Sequence, residues 1–175
     1  MLLSFRSSAR PHAVRLPTDW RGVALWLFAA GFVQATLVHY VAVRSAVPSL
    51  IFLVVATYAL RAGASGAIIL GAIGGLLDDS LAGNTGAAWT IATTVAALGV
   101  WGAGRFLFTD SASIFAVIVM AASLLREGVY WAVLSREGYQ VGLGMHYAKI
   151  ALAAALYTAI LSIVASFIRW RFISR

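Results

Sequence analysis

The sequence predicts an all-α, polytopic membrane protein: one bundle of six transmembrane helices. Three observations predict it. Hydrophobic residues make up 62% and charged residues 11% of the chain, against about 45–50% and 25% in soluble domains. Mean hydropathy is +0.91, which implies more apolar surface than a small soluble fold can hide. The basic residues stand at the ends of apolar stretches, where topology signals stand.

The same composition excludes several function classes. A net charge of +7 in a soluble protein would suggest nucleic acid, but no basic run is interleaved with aromatics as in nucleic-acid modules. Here the charge suits anionic lipid headgroups. The chain has no cysteine, so disulfides, thiolate metal sites and cysteine nucleophiles are excluded. The first apolar segment starts late and lacks a small-residue cleavage site, so no cleavable signal peptide is expected.

Three regions follow: a basic cytoplasmic arm over residues 1–22, a membrane domain over 23–168, and a basic tail over 169–175. The arm carries Arg6, Arg10, Arg15 and Arg21, and Pro11 and Pro17 discourage a continuous helix in it. Helix 1 is expected over Val23–Val43, with Gln34 and Thr36 needing hydrogen-bond partners from another helix. Helix 2 opens near Pro48, a residue suited to a first turn. Its Ser49–Leu60 core spans only about 18 Å at helical rise. Such a helix needs Arg61 to snorkel or neighbours to shield it. Helix 3 covers Gly66–Leu81 and helix 4 Ala87–Phe108, joined by the polar turn Gly83-Asn84-Thr85-Gly86. Trp89 is expected at the outer interface and Arg105 at the inner one. Helix 5 covers Ser111–Leu134, an irregular outer loop Ser135–Met145, and helix 6 His146–Ile168, followed by Arg169 and Arg171. Six spans place both termini on one side. Arg6, Arg10, Arg15, Arg21, Arg61, Arg105, Arg169, Arg171 and Arg175 then face the cytoplasm, against Arg44, Arg136 and Lys149 outside.

Small residues recur every four positions on helix 3, at Ala67, Gly71 and Gly75, then Asp79 and Gly83. This spacing makes one bare helical face, and close approach is what drives helix association in lipid. Ala151, Ala155 and Ala159 form a similar stripe on helix 6, and Gly31 and Ala35 a shorter one on helix 1. These are candidate seams for packing within the bundle or for a partner's helix.

Charges inside the bilayer are the candidate functional site. Asp78 and Asp79 lie about 18–20 Å up helix 3, and Arg126 about 22 Å up helix 5. Arg126 and Glu127 point about 100° apart on their helix, so they satisfy each other poorly. An isolated charge at that depth costs at least about 2.5–3.5 kcal/mol. Arg126 and the Asp78/Asp79 pair, with Glu127 beside them, are therefore expected around a shared polar cavity opening outward. The alternative is that each charge reaches headgroups or water by itself. No metal site is expected, since His12, His39 and His146 do not cluster by spacing. No cofactor and no catalytic set are expected either. Adjacent carboxylates on a helix diverge, and neither G-x-S-x-G nor H-E-x-x-H occurs.

The stretch from SLIFLVVATYALR (ending at Arg61), through Gly71–Asp79, to Gly102-Ala-Gly-Arg105 resembles the rod shape-determining protein MreD family. Pro48 is followed by Ser49, where that family often has an acidic residue. The resemblance implies a fold like the substrate-binding S-component of energy-coupling-factor transporters. It also implies a non-enzymatic scaffold in the bacterial inner membrane. Its partners would be the bitopic protein MreC and, around it, MreB, a SEDS glycosyltransferase and a class B penicillin-binding protein. The alternative function is that of a vitamin-binding subunit of such a transporter, with the cavity holding the ligand and the Ser135–Met145 loop as a lid.

Overall fold

The computed structural model describes residues 20–36, 40, 46–83, 85–107, 111–138 and 144–173, with the side chains of residues 145 and 167–173 left out. The expectations for residues 1–19 including Arg15, for the far end of helix 1 including His39, for Arg44, Asn84 and Arg175, for residues 139–143 of the outer loop, and for the side chains of Arg169 and Arg171 lie outside the described residues; Ser135 and Arg136, expected in that loop, continue the preceding helix.

The described residues form six helices: α1 Trp20–Thr36, α2 Leu50–Ala59, α3 Ala64–Ala82, α4 Ala88–Phe106, α5 Ala112–Arg136 and α6 Gly144–Ile173. Three segments, Ala64–Ala82, Ala112–Arg136 and His146–Ser166, are long and apolar enough to cross a membrane. The surface agrees with lipid as the solvent: Leu25, Trp26, Phe28 and Phe32 of α1 and Leu152, Leu156 and Ile160 of α6 are exposed. Large apolar residues exposed in rows along helices suit contact with acyl chains.

The short helix α2 is the axis of the bundle. It touches α1, α3, α4, α5 and α6, and Ile51, Phe52, Val55, Ala56 and Ala59 are fully buried. Of the two ways for so short a helix to survive, shielding by neighbours is the one used. At about 1.5 Å per residue it is long enough for only about half of a 30 Å hydrocarbon layer, and its N-terminal end packs against α6, where Ser49 N donates to the Thr158 hydroxyl (3.2 Å). The exposed N–H groups of that end need acceptors. The Ser49 side chain accepts from Phe52 N (3.3 Å), and Gln34 of α1 accepts from Leu50 N and Ile51 N (2.9 and 3.2 Å). Ser49 is the N-cap, so Pro48 precedes the helix instead of opening it. Thr36 needs no other helix: its hydroxyl donates to Phe32 O on its own turn.

Helices α3 and α4 form a hairpin whose backbones nearly touch. A Cβ on Gly71 would lie 2.6 Å from Thr94 Cα, and one on Gly75 would collide with the backbone of Trp89 and Thr90. Gly74, one residue off that face, gives room to α2, where Val55 Cγ2 would lie 2.5 Å from an added Cβ. The four-residue stripe ends before Gly83, which has open space around it and a φ of 82°. Gly83 is the C-cap of α3 and not part of the seam; its use is the left-handed turn that side chains resist. Gly104 of α4 lies against Leu60, while Gly102 faces open space.

Ala151, Ala155 and Ala159 are buried on α6, which packs against α5. That stripe faces inward, and Ala151 and Ala155 line a cavity there. A Cβ on Gly31 would stand at ordinary contact distance from Ile51 (3.8 Å), and Ala35 is exposed. Among the described residues, no Cα of α1 lies within 8 Å of α6, so the ring of helices around α2 is open on one side.

Candidate functional site

The charged centre is built from five elements. Arg126 of α5 and Asp78 of α3 are both 5% exposed, and Arg126 Nη2 donates to Asp78 Oδ2 at 2.5 Å. The guanidinium also donates through Nε to the buried Thr93 hydroxyl of α4 (2.9 Å). Its carbon lies 4.2 Å from the Trp89 ring centroid and 5.5 Å from that of Phe52. Trp89 is in turn stacked on Tyr130, with centroids 3.8 Å apart. The other Asp78 oxygen accepts from Gln34 Nε2 (2.9 Å). Gln34 thus joins the carboxylate to the N-terminus of α2.

Each of these contacts answers a desolvation cost. A buried ion pair is tolerated only when good geometry and extra hydrogen bonds satisfy both ions. Here the guanidinium has a carboxylate, a hydroxyl and aromatic neighbours, and the carboxylate has a guanidinium and an amide. Cation–π contact is worth about 2 kcal/mol or more when desolvated.

The two adjacent carboxylates part company, as neighbours on a helix must. Asp79 accepts from Trp89 N (3.0 Å), Thr90 N (2.9 Å) and the hydroxyls of Thr85 (2.8 Å) and Thr90 (2.7 Å). It caps the N-terminus of α4, where unpaired N–H groups and the helix dipole favour an anion. Asp79 therefore does not line the cavity, in contrast to the expectation of a shared pair. Asp78, Arg126 and Glu127 do.

That cavity has a volume of about 420 Å³ and lies between α1, the 47–49 segment, the end of α3, the start of α4, α5 and α6. Glu127 sits at its wall. One of its oxygens accepts from Tyr147 OH of α6 (2.7 Å), and the other is 3.9 Å from Arg126 Nη1, beyond hydrogen-bond distance. Ser123, one turn before Arg126 and Glu127 and on their face, also lines the cavity. Its hydroxyl is buried and has no partner among the described residues, an arrangement that costs about 1–3 kcal/mol. No group of three or more metal-ligating side chains occurs among the described residues.

Comparison of the sequence with protein-family models and with curated proteins, and of the structure with solved structures, found no match.

Several members of the site were not singled out from the sequence: Thr93, Ser123, Tyr130, Tyr147 and the inward role of Trp89. Three had a readable signal. Trp89 and Thr93 are four residues apart on one face of α4, and Ser123 is three before Arg126. The basic residues at helix ends do other things. Arg61 and Arg105 are exposed, with Arg105 5.3 Å from the Trp101 centroid, and Arg21 is exposed at the start of α1.

Proposed function

We propose that the chain is a non-enzymatic scaffold of the MreD type in a bacterial inner membrane. It would cross that membrane six times with both termini in the cytoplasm, bind an MreC-like bitopic protein, and help position peptidoglycan synthases for rod-shaped growth. One observation carries the reading: the residues behind the MreD resemblance serve helix packing. Gly71 and Gly75 let α4 approach α3, Asp79 caps α4, and Gly104 admits Leu60. Asp78 and Arg126 at this level are tied to each other and to α1 and α4. Groups committed in this way hold helices at fixed distances, which is what a rigid platform for other membrane proteins requires.

The test is co-purification. The tagged full-length chain is expressed with the MreC-like protein of the same genome and extracted in mild detergent. Retention of that protein, and loss of rod shape when the chain is depleted, is the expected result. Unchanged shape on depletion with no MreC-like protein retained would overturn the reading. Recovery with energy-coupling ATPase subunits and a bound vitamin would replace it with the transport alternative.

A further inference from the structure

We propose that the cavity between α1, α3, α5 and α6 binds a neutral amphiphile whose head is an amide, or a similarly spaced donor and acceptor, on an apolar stem. This goes beyond the scaffold reading, which needs no occupant there. At about 420 Å³ the cavity has the size of small-molecule sites.

Polar atoms without a hydrogen bond define the head. Arg126 uses Nε on Thr93 and Nη2 on Asp78, and Glu127 uses one oxygen on Tyr147. Arg126 Nη1 and Glu127 Oε1, 3.9 Å apart, have no hydrogen bond among the described residues. An amide carbonyl can accept from the first while its N–H donates to the second, since the two amide atoms are themselves separated by less than that gap.

Charge decides against ionic heads. The cavity wall carries Asp78 and Glu127 against Arg126, so an anion meets a net negative wall. An ammonium at Glu127 would stand beside the Arg126 guanidinium. A neutral head meets neither penalty. The α6 wall of the cavity, with Ile150, Ala151, Ala154 and Ala155, is apolar and suits the stem.

The occupant can come from water or from the bilayer, and the experiment separates these sources. The full-length chain in phosphatidylcholine nanodiscs is titrated with bromohexanamide from water, and separately prepared with a dibrominated stearamide in the lipid. Bromine quenches tryptophan on contact, and the Trp89 share is the difference from Trp89→Phe. Saturable quenching of Trp89 by either probe is expected, the effective probe naming the source. Its apparent affinity should fall about tenfold in Glu127→Ala, which removes the acceptor, and by at least as much in Ala154→Leu, which fills the stem slot. Ala154→Leu removes no polar contact, so it carries the test should Glu127→Ala fail to fold. Absence of saturable Trp89 quenching by both probes, or equal affinity in wild type and Ala154→Leu, overturns the proposal. Retention of an MreC-like protein is scored on the same samples, so failure of the scaffold reading shows separately.

Discussion

Along the α3–α4 hairpin a Cβ at Gly71 would stand 2.6 Å from the opposing backbone, whereas on the far side of α2 the described parts of α1 and α6 do not meet at all. Both regions lie at the level of the same charged residues. Asp79 faces the tight side and has four donors; Asp78 and Arg126 face the open side and border a cavity. The difference is set by residue size. Glycine lets van der Waals contact and a capping carboxylate join two helices without a gap. The open flank has polar groups that face one another across space, and they need a neighbour or an occupant. The tight side therefore tolerates no added volume, and the open side tolerates a good deal.

The largest effect should come from breaking the ion pair between these regions. Arg126→Met leaves Asp78 buried with the Gln34 amide but no counter-charge, and the expected loss is about 3–5 kcal/mol, read by thermal or denaturant unfolding in detergent. A loss below 1 kcal/mol would place the pair outside the packed structure. Next comes the seam. Gly75→Leu forces α3 from α4, and overpacking of this kind costs at least about 1–3 kcal/mol; an unchanged melting temperature would contradict the close approach. Asp79→Ala removes the cap of α4 and should cost about 0.5–2 kcal/mol, with hydrogen exchange rising first at Trp89 and Thr90. The smallest effect belongs to the open flank: Ala35→Leu, on an exposed position at the cavity, should change stability by no more than about 0.5 kcal/mol. If Ala35→Leu proved as harmful as Gly75→Leu, the contrast between the two sides would fail.

Much of this arrangement was legible in the residues. Hydropathy and glycine spacing located α2 to α5 to within a few residues, and counting helical rise puts Arg126 and Asp78 at similar depth. Periodicity could not assign each carboxylate to its neighbour. Asp78 and Asp79 are chemically identical, and their fates depend on which side of α3 faces α4 and which faces α5. Gly71 and Gly75 contained that information: Asp79 continues their four-residue row, so the helix that fits the glycines also takes the carboxylate. Gly83 continued the row on paper only, because the helix ends there. Gln34 was legible as a residue in need of a partner, but its role at the N-terminus of α2 required knowing that α2 begins inside the bundle. Tyr147 and Tyr130 gave no signal, since aromatic residues near helix ends read equally well as interface anchors.

The most direct test of the central claim, that a buried Asp78–Arg126 pair ties α3 to α5, is a double-mutant cycle. Unfolding free energies are measured for wild type, Asp78→Asn, Arg126→Met and the double variant in the same detergent. The expected result is that the double variant is more stable than Arg126→Met alone, with a coupling energy of about 2–3 kcal/mol, because removing both charges removes the uncompensated one. Effects that add to within about 0.5 kcal/mol, the behaviour of distant sites, would contradict it.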